Sequence, residues 1–178
     1  MRHELTRDRL RSLMAEIARG TPGRGGPFHV YLVGGGTAVW AGWRDASVDV
    51  DLFSEHEELF RDVQGMKERL NINIEFARPE DFVPELPGAG DRHVFIRSVR
   101  QVHFHHYDPY SQLLSKVVRG FPRDLEDARH FLSSGMVDAS RFRAMVEQIP
   151  ESAFSRYPSL SPAGVRKAVA TFLGMVGG

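Results

Sequence analysis

Three consecutive glycines, Gly34-Gly35-Gly36, stand between a short apolar run and a helical one. No other feature constrains the chain as much. Phe28–Val33 is β-branched and aromatic and has the length of a buried strand. Thr37–Trp43 fits two helical turns. Ser47–Phe53 then alternates Val48, Val50 and Leu52 with Asp49 and Asp51, the period-2 pattern of a strand. A strand that ends in glycine and opens a helix exposes backbone N–H groups at a positive helix terminus, an arrangement that suits a phosphate. Any tight strand-to-helix junction also uses glycine, so the turn alone does not fix a function.

The remaining segments follow the same reading of periods. Residues 4–19 carry Leu5, Leu10, Leu13, Met14 and Ile17 at helical spacing, and 20–27 is a Gly- and Pro-rich loop. Residues 55–70 are helical, with Leu59, Phe60, Val63, Met66 and Leu70 as the apolar stripe. Asn71–Phe76 is a strand, Pro79–Leu86 a short helical turn at most, and Pro87–Gly90 a loop. Val94–Val99 and Val102–Tyr107 read as two strands joined at Arg100-Gln101. Beyond Pro109 the spacing is helical over 109–119, 123–134, 138–149 and 161–175, with Asp138 and Ser161-Pro162 as helix starts. The layout predicts an α/β (α+β) fold. A mixed sheet of about five strands with flanking helices spans 1–108, and a helical segment, 109–178, packs on it. At 178 residues the two parts fit one structural domain.

Composition narrows the chemistry. The chain has no cysteine, which removes disulfides, thiolate metal sites and a cysteine nucleophile. Lys+Arg and Asp+Glu are both 23, so bulk charge does not hold this protein to nucleic acid. The charge is unevenly placed, however: Asp45–Asp91 carries 13 acidic and 4 basic residues, and Arg92–Arg123 carries 6 basic and 1 acidic. Such blocks can hold cations and phosphates together, although a solvated mixed surface would look the same. No apolar run reaches the length of a membrane span, and Met1–Leu13 has no signal-peptide core. These features predict a soluble, cytoplasmic protein with no membrane partner.

Asp49 and Asp51 are two apart on a strand, so both point to one face, roughly 6.5–7 Å apart at their Cα atoms. Carboxylates so placed repel unless a cation sits between them, and a hard oxygen-binding ion, Mg²⁺ above all, is its natural partner. A glycine-rich phosphate cradle beside a metal-holding Asp pair describes a phosphoryl- or nucleotidyl-transfer site.

The segment Val33-Gly-Gly-Gly-Thr-Ala38, followed by Arg44-Asp-Ala-Ser-Val-Asp-Val-Asp-Leu52, resembles the signature of the DNA polymerase β-like nucleotidyltransferase superfamily. More narrowly, the chain resembles small bacterial nucleotidyltransferase-like proteins of unassigned function. Those are related to nucleotidyltransferases of abortive-infection and toxin–antitoxin pairs. The narrower likeness runs through Asn73–Phe82, Leu86-Pro-Gly88, Asp91-Arg92, Asp108-Pro-Tyr110, Leu114-Ser-Lys116, Arg119-Gly120, Asp124-Leu-Glu-Asp127 and Gly135–Asp138. It covers roughly residues 28–157.

The resemblance implies a minimal nucleotidyltransferase core. It implies Mg²⁺ (or Mn²⁺) on Asp49, Asp51 and Glu75, with Glu75 as the base for the incoming hydroxyl. It implies a nucleoside triphosphate with its phosphates on Gly34, Gly35, Gly36 and Thr37 and near Lys116 and Arg123. Asp124 and Asp127 would orient the cations. The acceptor would be RNA (tRNA) or a protein hydroxyl, and the protein a toxin held by an antitoxin. Lys116 is one of 3 lysines against 20 arginines, yet an ordinary ion-pair network at a helix corner would use it equally well. His103 and His105 share a strand face as zinc ligands can, but no third ligand has zinc spacing. Arg92, Arg97 and Arg100 fit either the acceptor side of a cleft or a solvated hairpin edge. The rival to an enzyme is a nucleotide- or partner-binding protein on the same fold, without turnover.

Overall fold

Period-2 and helical segments alternate along the first half of the chain, and most become the element that their period demands. In chain order these are β1 (Leu5–Thr6), α1 (Arg7–Arg19), β2 (Phe28–Val33), α2 (Gly35–Ala41), β3 (Ala46–Ser47), β4 (Asp49–Phe53), α3 (Val63–Leu70), β5 (Asn73–Phe76), β6 (Val94–Val99) and β7 (Val102–His106). The helices α4 (Pro109–Arg119), α5 (Pro122–Ser133), α6 (Ala139–Glu147) and α7 (Pro162–Val176) follow. Short 3-10 turns lie at Glu57–Phe60, Pro79–Asp81, Ala89–Asp91 and Glu151–Arg156. The computed structural model describes residues 2–177.

The chain forms two compact units. The first holds the residues up to Arg78 together with His93–Tyr107, and the second holds Pro79–Arg92 with Asp108 onward. Residues 79–92, which a division at 108 leaves with the sheet, thus group with the helical part.

The first unit is built on a five-stranded mixed sheet in the order β5-β4-β2-β7-β6. β2 runs antiparallel to β4 and parallel to β7, β4 is parallel to β5, and β6 is antiparallel to β7. One sheet face is apolar: Val30, Leu32, Val50, Leu52, Ile74, Val102 and Phe104 are buried with Leu10, Leu13, Met14 and Ile17 of α1 and Met66 of α3. Trp40 of α2 packs against this core, and the Arg7 guanidinium lies 4.8 Å from its ring centre.

Departures from the predicted elements have local causes. Helix α1 begins at Arg7 because Thr6 caps it, its hydroxyl accepting from Arg9 N (3.3 Å). Leu5–Thr6 pairs instead with β3. Gly42 takes the left-handed conformation (φ 82°) and ends α2 before Trp43. The helix expected over 55–70 is interrupted at Arg61-Asp62, where Asp62 stands at the N-cap position of α3 and pairs with Arg69 (3.0 Å).

In the second unit Leu113, Leu114, Val117, Phe131, Phe142, Val146, Val165, Val169 and Phe172 are buried, and Val83, Leu86 and Ala89 of the 79–92 segment are buried too. Asp138 caps α6 and Ser161 caps α7, as their sequences predict. No helix among the described residues is long and apolar enough to cross a membrane.

Candidate functional site

The site begins with the pairing of β4. Asp49 and Asp51 alternate with buried Val50 and Leu52, so both carboxylates stand on the sheet face away from the apolar core. β5 runs beside β4 in a register that sets Asn73 opposite Asp49 and Glu75 opposite Asp51. Asp49, Asp51, Asn73 and Glu75 therefore share one face. The Asn73 amide joins the carboxylates: its Nδ2 donates to Asp49 Oδ1 (2.7 Å) and Glu75 Oε1 (3.2 Å). A neutral donor thus stands between two acids where a cation would also be favourable.

The glycine turn lies against this edge. Gly34 has φ 55° and ψ −120°, a conformation that favours glycine, and a Cβ there would meet Asp51 Oδ2 at 2.8 Å. A Cβ on Gly35 would fall 2.2 Å from Ser47 Oγ, and one on Gly36 would fall 3.3 Å from Val50 Cγ2. Each glycine therefore has a packing reason of its own, and Gly35 and Gly36 are buried. Thr37 is fully buried; its hydroxyl donates to Leu32 O (3.2 Å) and lies 3.0 Å from His106 Nδ1. The Thr37 hydroxyl is thus engaged inside the fold and is not turned toward a phosphate.

The oxygen donors of Asp49, Asp51 and Glu75 suit a hard cation in kind. As the side chains stand, they are not gathered around one point, and no group of three or more His, Asp or Glu residues among the described residues is arranged to hold a metal. The Asn73 bridge is the visible reason, since it turns Asp49 and Glu75 toward an amide.

The remaining expected site residues lie in the second unit. Gly120 (φ 70°) ends α4, and α5 folds back so that Lys116 Nζ meets Asp127 Oδ2 at 2.7 Å and Asp124 Oδ1 at 3.7 Å. Arg119 Nε lies 3.4 Å from Asp124 Oδ2. Lys116, Asp124 and Asp127 are all buried, whereas Arg123 is exposed outside this network. Arg92 grips Asp108 with Nε (3.1 Å) and Nη2 (2.7 Å).

Other members complete the sheet face, and of these only the shared face of His103 and His105 was evident from sequence. Asn73 is one. The others are rings: His29 and Tyr31 of β2, Phe53 of β4, and His103 and His105 of β7, all half-buried. Their signal is the alternation in Phe28-His-Val-Tyr31 and Val102-His-Phe-His105, which a reading of β2 as a wholly buried strand passes over. His106 points the other way and is buried. Compared with known proteins, the chain matches no family model, no curated protein and no solved structure.

Proposed function

We propose that this protein is a Mg²⁺-dependent nucleotidyltransferase that moves a nucleoside monophosphate from a nucleoside triphosphate to a hydroxyl of RNA or protein. The observation that carries the reading is the register of β4 and β5, which gives Asp49, Asp51 and Glu75 one face beside the Gly34 turn. Asp49 and Asp51, with Glu75, would hold the metal once Asn73 withdraws. Mg²⁺ bound there would neutralise charge on the phosphates. Glu75 would accept the proton of the attacking hydroxyl as its oxygen bonds to the α-phosphorus. The α-phosphorus bond to the bridging oxygen then breaks, and pyrophosphate leaves. The phosphates would lie against the backbone at Gly34, the half-buried one of the three glycines.

The resemblance also implies triphosphate contact for Lys116 and Arg123, with Asp124 and Asp127 orienting Lys116. If Lys116 neutralises charge as it develops, Lys116→Met lowers the rate constant more than it weakens nucleotide binding. Equal rate constants for variant and wild type would leave Lys116 to the buried ion pairs at the helix corner.

The test of the whole reading is incubation with each α-labelled nucleoside triphosphate, Mg²⁺ or Mn²⁺ and total RNA. Label should reach RNA or the protein itself with the wild type and fail to with Asp49→Asn. As a toxin of the cytoplasm the wild type would also arrest growth on induction, and Asp49→Asn would not. One observation favours a binding protein without turnover: Asn73 already satisfies Asp49 and Glu75 without a metal. Tight nucleotide binding with no label transferred under either metal would establish that reading instead.

A further inference from the structure

Next to the carboxylates, the same sheet face is made almost wholly of rings. Strand register sets Phe53 of β4, Tyr31 of β2, His105 of β7 and Phe95 of β6 in one row, and His29 and His103 in the next. The rings touch along the row: Tyr31–Phe53 centres are 6.1 Å apart, Tyr31–His105 are stacked at 5.1 Å, and Phe95–His105 meet edge to face at 5.7 Å. His93 lies 4.4 Å from Tyr31, and His29 Nδ1 is 3.0 Å from His105 Nε2. Phe95 is 57% exposed on the edge strand. Nothing in the transfer chemistry uses these rings.

Three properties select the ligand. First, two of its histidines, His29 and His105, are held neutral at neutral pH. Burial, with His29, His93 and His103 nearby, lowers the His105 pKa to about 4, and burial with His103 and His56 lowers that of His29. Such histidines cannot hold a phosphate by charge, and no metal-holding group forms from them. What they offer is an aromatic surface, the usual support for unpaired bases. Second, the row crosses four strands, three inter-strand spacings or roughly 14 Å. That length suits successive bases of a strand better than the base of one mononucleotide. Third, the row is continuous with the carboxylates: Val33 pairs with Asp51, and Tyr31 lies two residues away along β2, about 6.5–7 Å. Cations stand at its margins. The Arg78 guanidinium is 5.0 Å from the centre of the Phe53 ring, and Arg100 is exposed at the turn after β6.

We infer that the Phe53–Tyr31–His105–Phe95 row is a stacking surface for bases of a single-stranded RNA acceptor whose reacting end lies at Asp49 and Asp51. The identity of the acceptor rests on the transferase reading. Stacking on the rings is tested without it.

The experiment is fluorescence anisotropy of an end-labelled eight-nucleotide single-stranded RNA with the full chain, without metal or triphosphate. An abasic octamer of equal length and charge is the comparator, and unlabelled nucleoside triphosphate is the competitor. The RNA should bind at least about five-fold more tightly than its abasic analogue, since losing even one stacked base weakens binding roughly 5- to 150-fold. Phe95→Ala, at an exposed position, should keep the wild-type melting temperature and weaken RNA binding about five-fold or more. His105→Leu, which keeps bulk without a ring, should do the same where it folds; if it does not fold, Phe95→Ala decides alone. Equal binding of the abasic octamer, an unchanged Kd in Phe95→Ala, or no measurable binding of the RNA would each overturn the proposal. RNA bound through the rings with no label transferred would leave it standing while removing the transferase reading. Transfer retained with base-independent binding would do the reverse.

Discussion

At Gly35 a single carbon decides how helix α2 meets the strand below it. A Cβ there would lie 2.2 Å from Ser47 Oγ, 2.9 Å from Ser47 Cβ and 3.2 Å from Asp49 O. The last two atoms are fixed by the backbone, so the helix must lift. Gly35→Ala should destabilise the protein by about 1–3 kcal/mol, and Ser47→Gly in the same chain should restore part of the loss. Urea unfolding of the two variants checks this, and an unchanged midpoint for Gly35→Ala would show that the packing account is wrong. His106 sets a pH dependence. Burial lowers its pKa from 6.5 to about 4. Below pH 6.5 the unfolded chain takes up a proton that the folded chain refuses, so stability present above pH 6.5 is lost as the pH falls toward 4. The slope approaches 1.4 kcal/mol per pH unit, about 3 kcal/mol in all. His29 and His105, also lowered, act in the same direction. His106→Gln should flatten the fall between pH 7 and 5 in denaturant titrations; a curve parallel to wild type would mean that His106 titrates normally in the fold. Period 2 alone puts His103 and His105 opposite His106. The reach of Asn73 to both Asp49 and Glu75 was not legible, because it depends on β5 choosing β4 as its partner in one register.

Among the elements, α4 shows how a local signal and a distant partner combine. Asp108 accepts from Tyr110 N (3.1 Å), Ser111 N (3.2 Å) and Ser111 Oγ (2.6 Å), capping the helix, and it also takes the Arg92 fork. It is fully buried, so removing its carboxylate strips two amides and leaves a largely buried guanidinium with no carboxylate, held only by the Pro87 carbonyl and the Tyr110 ring. Asp108→Ala should cost about 3–5 kcal/mol. Asp108→Asn keeps a capping oxygen and should cost less. Chemical denaturation should rank wild type above Asn above Ala, and an Ala variant as stable as the Asn variant would remove the cap from the account. The bounds were readable in sequence: the helical period starts at Pro109 and Gly120 closes it, and the predicted 109–119 matches the helix residue for residue. Phe28–Val33 and Val94–Val99 are matched equally well, being bounded by Pro27 and by the turn at Arg100. The interruption near Asp62 was hidden, because a 3-10 turn and an α turn present Leu59 and Phe60 with nearly the same spacing. β1 was hidden as well, since a two-residue strand exists only through its partner some forty positions away.

For the whole molecule, the consequential feature is that the chain leaves the sheet at Arg78, contributes fourteen residues to the other unit, and returns at His93. Nothing in the composition of 79–92 announces this. Its apolar residues are few, yet Val83 (1% exposed), Leu86 (0%) and Ala89 (3%) are all buried. Tyr157 Oη donates to Glu80 O (2.5 Å), Arg92 grips Asp108, and both partners lie in the second unit. The acid-rich block of the sequence is thereby split: Asp49, Asp51 and Glu75 remain with the sheet, while Glu80, Asp81, Glu85 and Asp91 go with the helices. A chain of residues 2–107 should therefore fold poorly if 79–92 is kept, because Val83 and Leu86 would lose their cover, each exposing a side chain worth roughly 1.5–3 kcal/mol. Replacing 79–92 with a Gly/Ser linker should recover a folded sheet, since closing a loop of that length adds little. Circular dichroism melts and amide-proton dispersion distinguish the two. A linker version no more stable than the chain that keeps 79–92 would mean that the segment supports the sheet directly, and the division of the molecule into these units would have to be redrawn.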